Sequence, residues 1–156
     1  MVPHNDVQSV LQGERDAMRD FVALLEREQS ALVENHTDAV MELAEQKSEH
    51  ALHLHELVEA RTVLFKQRFN GLPPAAIQRE LQMKDPHSWN LWLELRDFAE
   101  RAQHLNQSSG ELIQLKMRHN QQALAVLNNA SNQANLYGAN GQPSFTPGSG
   151  RPLGSA

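Results

Sequence analysis

The stretch "EREQSALVENHTDAVMELAEQK" (residues 26–47) decides the fold, because it holds the end of one amphipathic helix, a break and the start of another. Apolar residues recur three and four positions apart on both sides of the break, a spacing that keeps one helix face inward. Asn35 or Thr37 is the expected N-cap of the second helix, and Asp38 suits the positive end of its dipole. A break this short predicts an antiparallel helical hairpin.

The same periodicity, followed outward from the turn, sets the length of the hairpin. It predicts helices over about residues 5–34 and 37–69. The second helix is expected to end at "NGLPP" (70–74), with Gly71 at the C′ position and two prolines beyond it. With a third long helix downstream, residues 1–130 are expected to form one all-α, up-down-up, coiled-coil-like bundle.

Downstream of the hairpin, a short helix is expected over about residues 75–83. A third long helix is predicted over about 86–130, with Asp85 as its N-cap and Pro86 at its first position, where a missing N–H costs nothing. Residues 131–156 are rich in Gly, Pro, Ser and Asn, and no apolar period survives there. We therefore expect this C-terminal segment to be a disordered tail.

The third helix is longer than either arm of the hairpin. At 1.5 Å per residue the arms are about 45 to 50 Å long and the third helix is about 65 Å long. If it runs back along the hairpin, it reaches the turn near residue 120, and the end of its apolar stripe then lacks intramolecular partners. Such a surface needs a second copy of the chain or another protein to cover it. The expected stripe comprises Trp92, Leu95, Ala99, Ala102, Asn106, Ser109, Ile113, Met117 (or Lys116), Asn120, Leu124 and Leu127.

Four charged residues lie on the inward faces of the hairpin helices. Glu14 and Glu28 are 14 residues apart on the first helix, as are Lys47 and Arg61 on the second. In an antiparallel pair Glu28 meets Lys47 and Glu14 meets Arg61, which would give two cross-hairpin ion pairs that set the register. The alternative is that these side chains extend along the edge of the stripe into solvent and contribute little to stability.

Composition excludes several classes of protein. The chain has no cysteine, so it can form neither disulfides nor thiolate metal sites. Its net charge is -5 and its basic residues are scattered, so nucleic-acid binding is not expected. No run of about 18 apolar residues is present, so no membrane insertion is expected and the protein is interpreted as cytoplasmic.

The positions of the histidines and carboxylates give little support for a metal site or for catalysis. His50, His53 and His55 are close in sequence, but only His55 falls on the apolar stripe, where it is expected to be half-buried, while the other two face solvent. No Glu has a His three residues after it, as a di-iron bundle would require. Paired glutamates lie on charged helix faces, and no phosphate-binding loop is present. We therefore expect no metal site, no cofactor and no catalytic residue.

Two segments resemble a known family. "HLNQSSGELIQLKMRHNQQALAVL" (104–127) and "LYGANGQPS" (136–144) are similar to segments of the FlgN-type flagellar export chaperones, in which a Leu-Asn-Gln turn, an Asn-Gln-Gln-Ala-Leu segment and a Leu-Tyr-Gly tail recur. The hairpin over residues 26–61 is similar to the first hairpin of that family.

The resemblance implies a cytoplasmic chaperone for the hook-filament junction proteins, also called hook-associated proteins. It would bind their helical C-terminal segments, prevent premature assembly and deliver them to the flagellar type III export gate. In the family the client binds the C-terminal half of the chaperone. In this sequence that surface corresponds to Ile113, Met117, Asn120, Leu124 and Leu127, with Leu136 and Tyr137.

Two other functions are alternatives to be tested against this one. One is a homo-oligomeric coiled-coil scaffold, in which the overhanging stripe is a permanent dimer seam and no client exists. The other is a metal-binding helical bundle, which would require about one bound metal ion per chain. A chaperone should change in mass or helicity when a client peptide is added, whereas a scaffold should not.

Overall fold

The structure is a computed structural model that describes the backbone of residues 4–137 and the side chains of residues 6–136. Within this range the chain forms four helices and no strand: α1 (His4–Val33), α2 (Thr37–Arg68), α3 (Pro74–Lys84) and α4 (Pro86–Tyr137). The all-α prediction is confirmed. The chain divides into two compact units, the first ending at Leu112 and the second beginning at Ile113.

The turn between α1 and α2 is built from backbone hydrogen bonds. Asn35 has a left-handed φ of 59°. The N–H of His36 donates to the carbonyl of Ala31 at 2.9 Å and the N–H of Asn35 to that of Leu32 at 3.3 Å, the two bonds of a Schellman motif. His36, without a side-chain cap, precedes Thr37 at the start of α2. The N-cap prediction is therefore wrong, because asparagine tolerates the left-handed region and ends α1 instead.

Helix α2 also ends with an asparagine in the left-handed region and a backbone hydrogen bond of the same type. Asn70 and Gly71 have φ values of 51° and 73°, and the N–H of Gly71 donates to the carbonyl of Lys66 at 3.1 Å. The C′ position expected for Gly71 is thus taken by Asn70, and glycine follows it. The short helix α3 then forms with Pro74 as its first residue, close to its expected start.

Asp85 caps α4 as the sequence predicts. Its Oδ1 accepts a hydrogen bond from the N–H of Ser88 at 3.2 Å, and its Oδ2 accepts one from Ser88 Oγ at 2.5 Å. Gln8 of α1 also donates its Nε2 to Asp85 Oδ1 at 3.2 Å. The cap therefore also joins the start of α4 to the start of α1.

Helix α1 is the centre of the first unit. Its N-terminal half packs with α2, α3 and α4, its middle packs on α4, and its end packs on α2. Arg15 pairs with Glu94, and Arg101 pairs with Glu26 at 3.3 Å, so α4 runs parallel to α1. The hydrogen bond with Glu94 also raises the pKa of Arg15 above its ordinary value. The buried clusters are Val7, Leu11, Phe65, Leu81, Leu91 and Leu95; Val22, Leu25, Ala102 and Leu105; and Leu24, Ala31 and Leu43.

Both ion pairs predicted across the hairpin are present. Arg61 Nε lies 2.6 Å from Glu14 Oε2, and Lys47 Nζ lies 3.3 Å from Glu28 Oε1. The two carboxylate side chains are only 3% and 7% exposed, so the alternative of solvent-exposed charges is wrong. A buried pair adds little net stability, but a slipped register would leave its charges unpaired and is therefore disfavoured.

The ion pairs also explain why the predicted burial of two histidines on α2 is wrong. Lys47, Leu54 and Arg61 follow one another at intervals of seven and face α1, which turns His55 outward. His55 is exposed and pairs with Glu59 at 3.2 Å, so the prediction of a half-buried His55 is wrong. His50, predicted to face solvent, is half-buried instead.

The inner face of α4 differs from the predicted stripe at alternate positions. Leu91 and Leu105 are buried and Phe98 is partly buried, whereas Asn106 is exposed, so the prediction for Asn106 is wrong. Burying large apolar side chains is favourable, while burying an amide requires hydrogen-bond partners. The predicted positions that do face inward as buried residues are Leu95, Ala102 and Ser109.

Helix α4 continues to Tyr137, seven residues past its expected end at about 130. The expectation of disorder is therefore wrong for residues 131–137, and residues 138–156 lie outside the described part. The helix can continue because residues 131–137 contain neither glycine nor proline. Gly138 is the next helix-breaking residue in the sequence.

We predict that the substitution Arg61→Met lowers the free energy of unfolding by about 3 kcal/mol, because it leaves the buried Glu14 carboxylate without a cation. Adding Glu14→Leu should recover the loss to within about 1 kcal/mol, since an apolar pair replaces the ion pair. Denaturant unfolding of the variants measures both values.

The matched control is Arg101→Met, which breaks an ion pair whose side chains are both half exposed or more. It should cost less than about 1 kcal/mol. An Arg61→Met variant that is no less stable than Arg101→Met would show that the buried pair does not constrain the hairpin.

Ser109 carries a second prediction. Its hydroxyl is buried and has no hydrogen-bond partner among the described residues. The substitution Ser109→Ala removes this unsatisfied group and improves helix propensity, so it should raise the free energy of unfolding by about 1 kcal/mol. A loss of stability in denaturant unfolding would contradict the assignment.

Candidate functional site

The C-terminal half of α4 is exposed in the part of the chain that the structure describes. The last buried side chain of the helix is Ser109, and residues 110–136 are exposed apart from the half-buried Leu112 and Lys116. Burial ends earlier than the expected level near residue 120, because the start of α4 at Asp85 lies beside Gln8 of α1. The remainder of α1, from Gln8 to its end at Val33, therefore reaches only to about residue 110 of α4. The second unit is therefore the part of the described chain with the least internal packing.

Five of the candidate residues lie on one face of this uncovered helix, here called the α4 stripe. They are Ile113, Met117, Asn120, Leu124 and Leu127, and their spacing of four, three, four and three keeps them on one side. The four apolar members are 42% to 64% exposed. The structure thus brings these residues together as an unpartnered apolar face, while their role in binding a client stays a prediction.

The other two candidate residues lie apart from the stripe. Leu136 is in the last turn of α4 and is exposed. It follows Leu127 by nine residues, which places it about 180° around the helix axis. Tyr137 is the last residue of α4, and its side chain lies outside the described part.

Sequence reasoning missed a second apolar strip on the same segment, Leu115 and Val126. Both are exposed, and their separation of eleven residues places them on one face, roughly opposite the α4 stripe. The eleven-residue interval was visible in the sequence, but a search for a single heptad stripe passes over it.

The electrostatic character of this segment differs from that of the rest of the chain. All nineteen acidic residues lie at or before Glu111, whereas residues 113–137 carry Lys116 and Arg118 and nine Asn or Gln side chains. The segment has no carboxylate, and its apolar face bordered by amides is suited to binding another helix.

Two further findings bear on the classes of function considered. Among residues 6–136, whose side chains the structure describes, no group of three or more His, Asp or Glu side chains could hold a metal ion. None of the helices in that range combines the length and apolar character needed to cross a bilayer.

Comparison with known proteins gives one family. The sequence profile of the FlgN protein family matches residues 1–144, a range that includes all four helices. Neither curated proteins nor solved structures give a significant match. Because the family profile spans most of the chain, the protein belongs to the FlgN family of flagellar export chaperones.

Proposed function

We propose that this chain is a cytoplasmic chaperone for the hook-filament junction proteins. It binds their helical C-terminal segments, prevents premature assembly and delivers them to the type III export apparatus. Membership of the FlgN family supports a role in flagellar export. The observation that supports the proposal of a helical client is the α4 stripe, an apolar face that is exposed among the described residues.

In this proposal an amphipathic client helix lies along the stripe and buries its own apolar face there. Ile113 and Met117 contact one end of the client helix and Leu124 and Leu127 the other. Asn120 lies between them as a polar residue at a contact position, where it lowers affinity and favours one register. No covalent step and no nucleotide is required.

The size of the stripe fits a complex that must later release its client. Each apolar member already exposes about half of its side chain, so covering it contributes about 1 kcal/mol, and the client's facing residues contribute a similar amount. Association costs at least several kcal/mol. The apolar contacts of the stripe alone therefore support a dissociation constant no tighter than about millimolar, so tighter binding requires contacts outside the stripe.

Leu136 and Tyr137 complete the proposed surface. Because Leu136 faces away from the stripe, a straight client helix on the stripe does not reach it. We assign these residues to the part of the client segment that extends past Leu127.

The double variant Leu124→Asp/Leu127→Asp should abolish capture of a junction-protein C-terminal segment, because two carboxylates would have to be buried against an apolar helix. Isothermal titration calorimetry with the purified client segment measures the loss, and we expect affinity to fall at least about a hundredfold. Far-UV circular dichroism should show that the first unit is still folded.

The double variant Leu115→Asp/Val126→Asp is the matched control, because it makes the same chemical change on the opposite face of the same segment. Its affinity should stay within about threefold of the wild type. Equal losses in the two variants, or retained binding by the stripe variant, would remove the α4 stripe as the client site.

Mixing the protein with the client segment distinguishes the chaperone from a homo-oligomeric scaffold. A chaperone should form a complex of changed mass and increased helicity, because the client orders on the stripe. Sedimentation and circular dichroism report the two changes. An unchanged mass and spectrum would favour the scaffold, whose stripe is already covered by a second copy.

A further inference from the structure

A cavity of about 380 Å³ lies between the end of α2, helix α3 and the start of α4, wholly within the first unit. None of the motifs that carry the family resemblance falls in residues 70–85, the segment that closes it. Its size is within the range of sites that receive a ligand group. The apolar side chains that line it are Phe65, Leu72, Pro74, Ile77, Leu81 and Trp92.

The charged residues around this cavity are both cations. Arg61 and Lys66 line it, and no acidic residue does. Arg61 is already engaged, with its Nε on Glu14 at 2.6 Å and its guanidinium 5.1 Å from the ring centre of Trp92. Lys66 is exposed and has no ion pair among the described residues. The opening of the cavity therefore presents the Lys66 ammonium beside an apolar interior.

The mouth also extends beyond the space that a small ligand would fill. Leu72, on the loop that follows α2, is 43% exposed, and Pro74 next to it is exposed as well. A ligand confined to the interior would leave this apolar rim in water. A protein segment that inserts one bulky side chain and continues across the surface would cover both the interior and the rim.

We propose that this cavity is a docking site for a second protein partner, whose surface segment inserts a Leu or Phe side chain and places a neighbouring carboxylate on Lys66. The site uses residues of the first unit alone and does not rest on the proposed client function. Because the α4 stripe uses other residues, one chain could bind both proteins.

Net charge does not oppose this assignment at physiological salt. Residues 1–112 carry eleven basic and nineteen acidic side chains, a net charge of -8. At 0.15 M ionic strength the Debye length is about 8 Å, so an incoming carboxylate responds mainly to Lys66. Lower salt should tighten binding of the acidic segment only if its attraction to Lys66 exceeds its repulsion by the net negative charge of the first unit.

The test uses the full chain with Trp89→Phe, which leaves Trp92 in the cavity wall as the single tryptophan. The probe is a blocked octapeptide with a central Leu-Leu-Phe sequence flanked by glutamates. We expect a saturable blue shift of Trp92 emission. Lys66→Glu should weaken binding about threefold and Leu72→Asp about tenfold. The same peptide with lysines in place of glutamates should bind more weakly than the acidic one.

The matched controls are Arg79→Glu and Met83→Asp, which make comparable charge changes at exposed positions of α3 outside the cavity lining. Both should bind the acidic peptide like the parent. Laurate is tested as a small-molecule ligand, because it also has a carboxylate but carries it on a single acyl chain. No peptide binding, binding of laurate alone, or peptide binding that Lys66→Glu and Leu72→Asp leave unchanged would each overturn the proposal.

Discussion

Helix length is the constraint on which the functional account depends. Helices α1 and α2 have 30 and 32 residues, and α4 has 52. An apolar side chain on a helix is buried only where another element runs beside it, so a hairpin of this length can cover little more than half of α4. The last buried residue of α4, Ser109, lies close to where that cover ends. The exposed stripe beyond it follows from chain length.

Sequence periodicity and cap chemistry were enough to predict the hairpin, the Asp85 cap and the partners of Glu14 and Glu28, because each depends on local spacing or on charge placed against an apolar stripe. They were not enough to set the rotation of α4. Leu105 and Asn106 differ by only 100° around the helix, and packing against α1 decides between them. The turns were misassigned because an asparagine can cap one helix or terminate another, and φ is not visible in a sequence. Among the candidate site residues, the stripe followed from a single heptad pattern, whereas Leu115 and Val126 did not.

The two units of the chain differ in charge and in the exposure of their apolar side chains. The first unit carries every acidic residue, the buried ion pairs and the cavity beside α3. The segment from Ile113 onward carries no acid and presents an apolar face bordered by amides. A folded, register-fixed unit can keep its shape while a partner joins or leaves the adjacent helix. This separation is what a chaperone needs if it is to bind a client without being remodelled throughout.

Hydrogen exchange of the α4 amides tests the central claim, that residues 113–127 form an uncovered helix awaiting a partner. In the free protein these amides should exchange much faster than those of the buried part of α1, and addition of a junction-protein C-terminal segment should protect them while the first unit stays unchanged. Strong protection of residues 113–127 in the free protein, or no gain in protection with the client bound, would contradict the account.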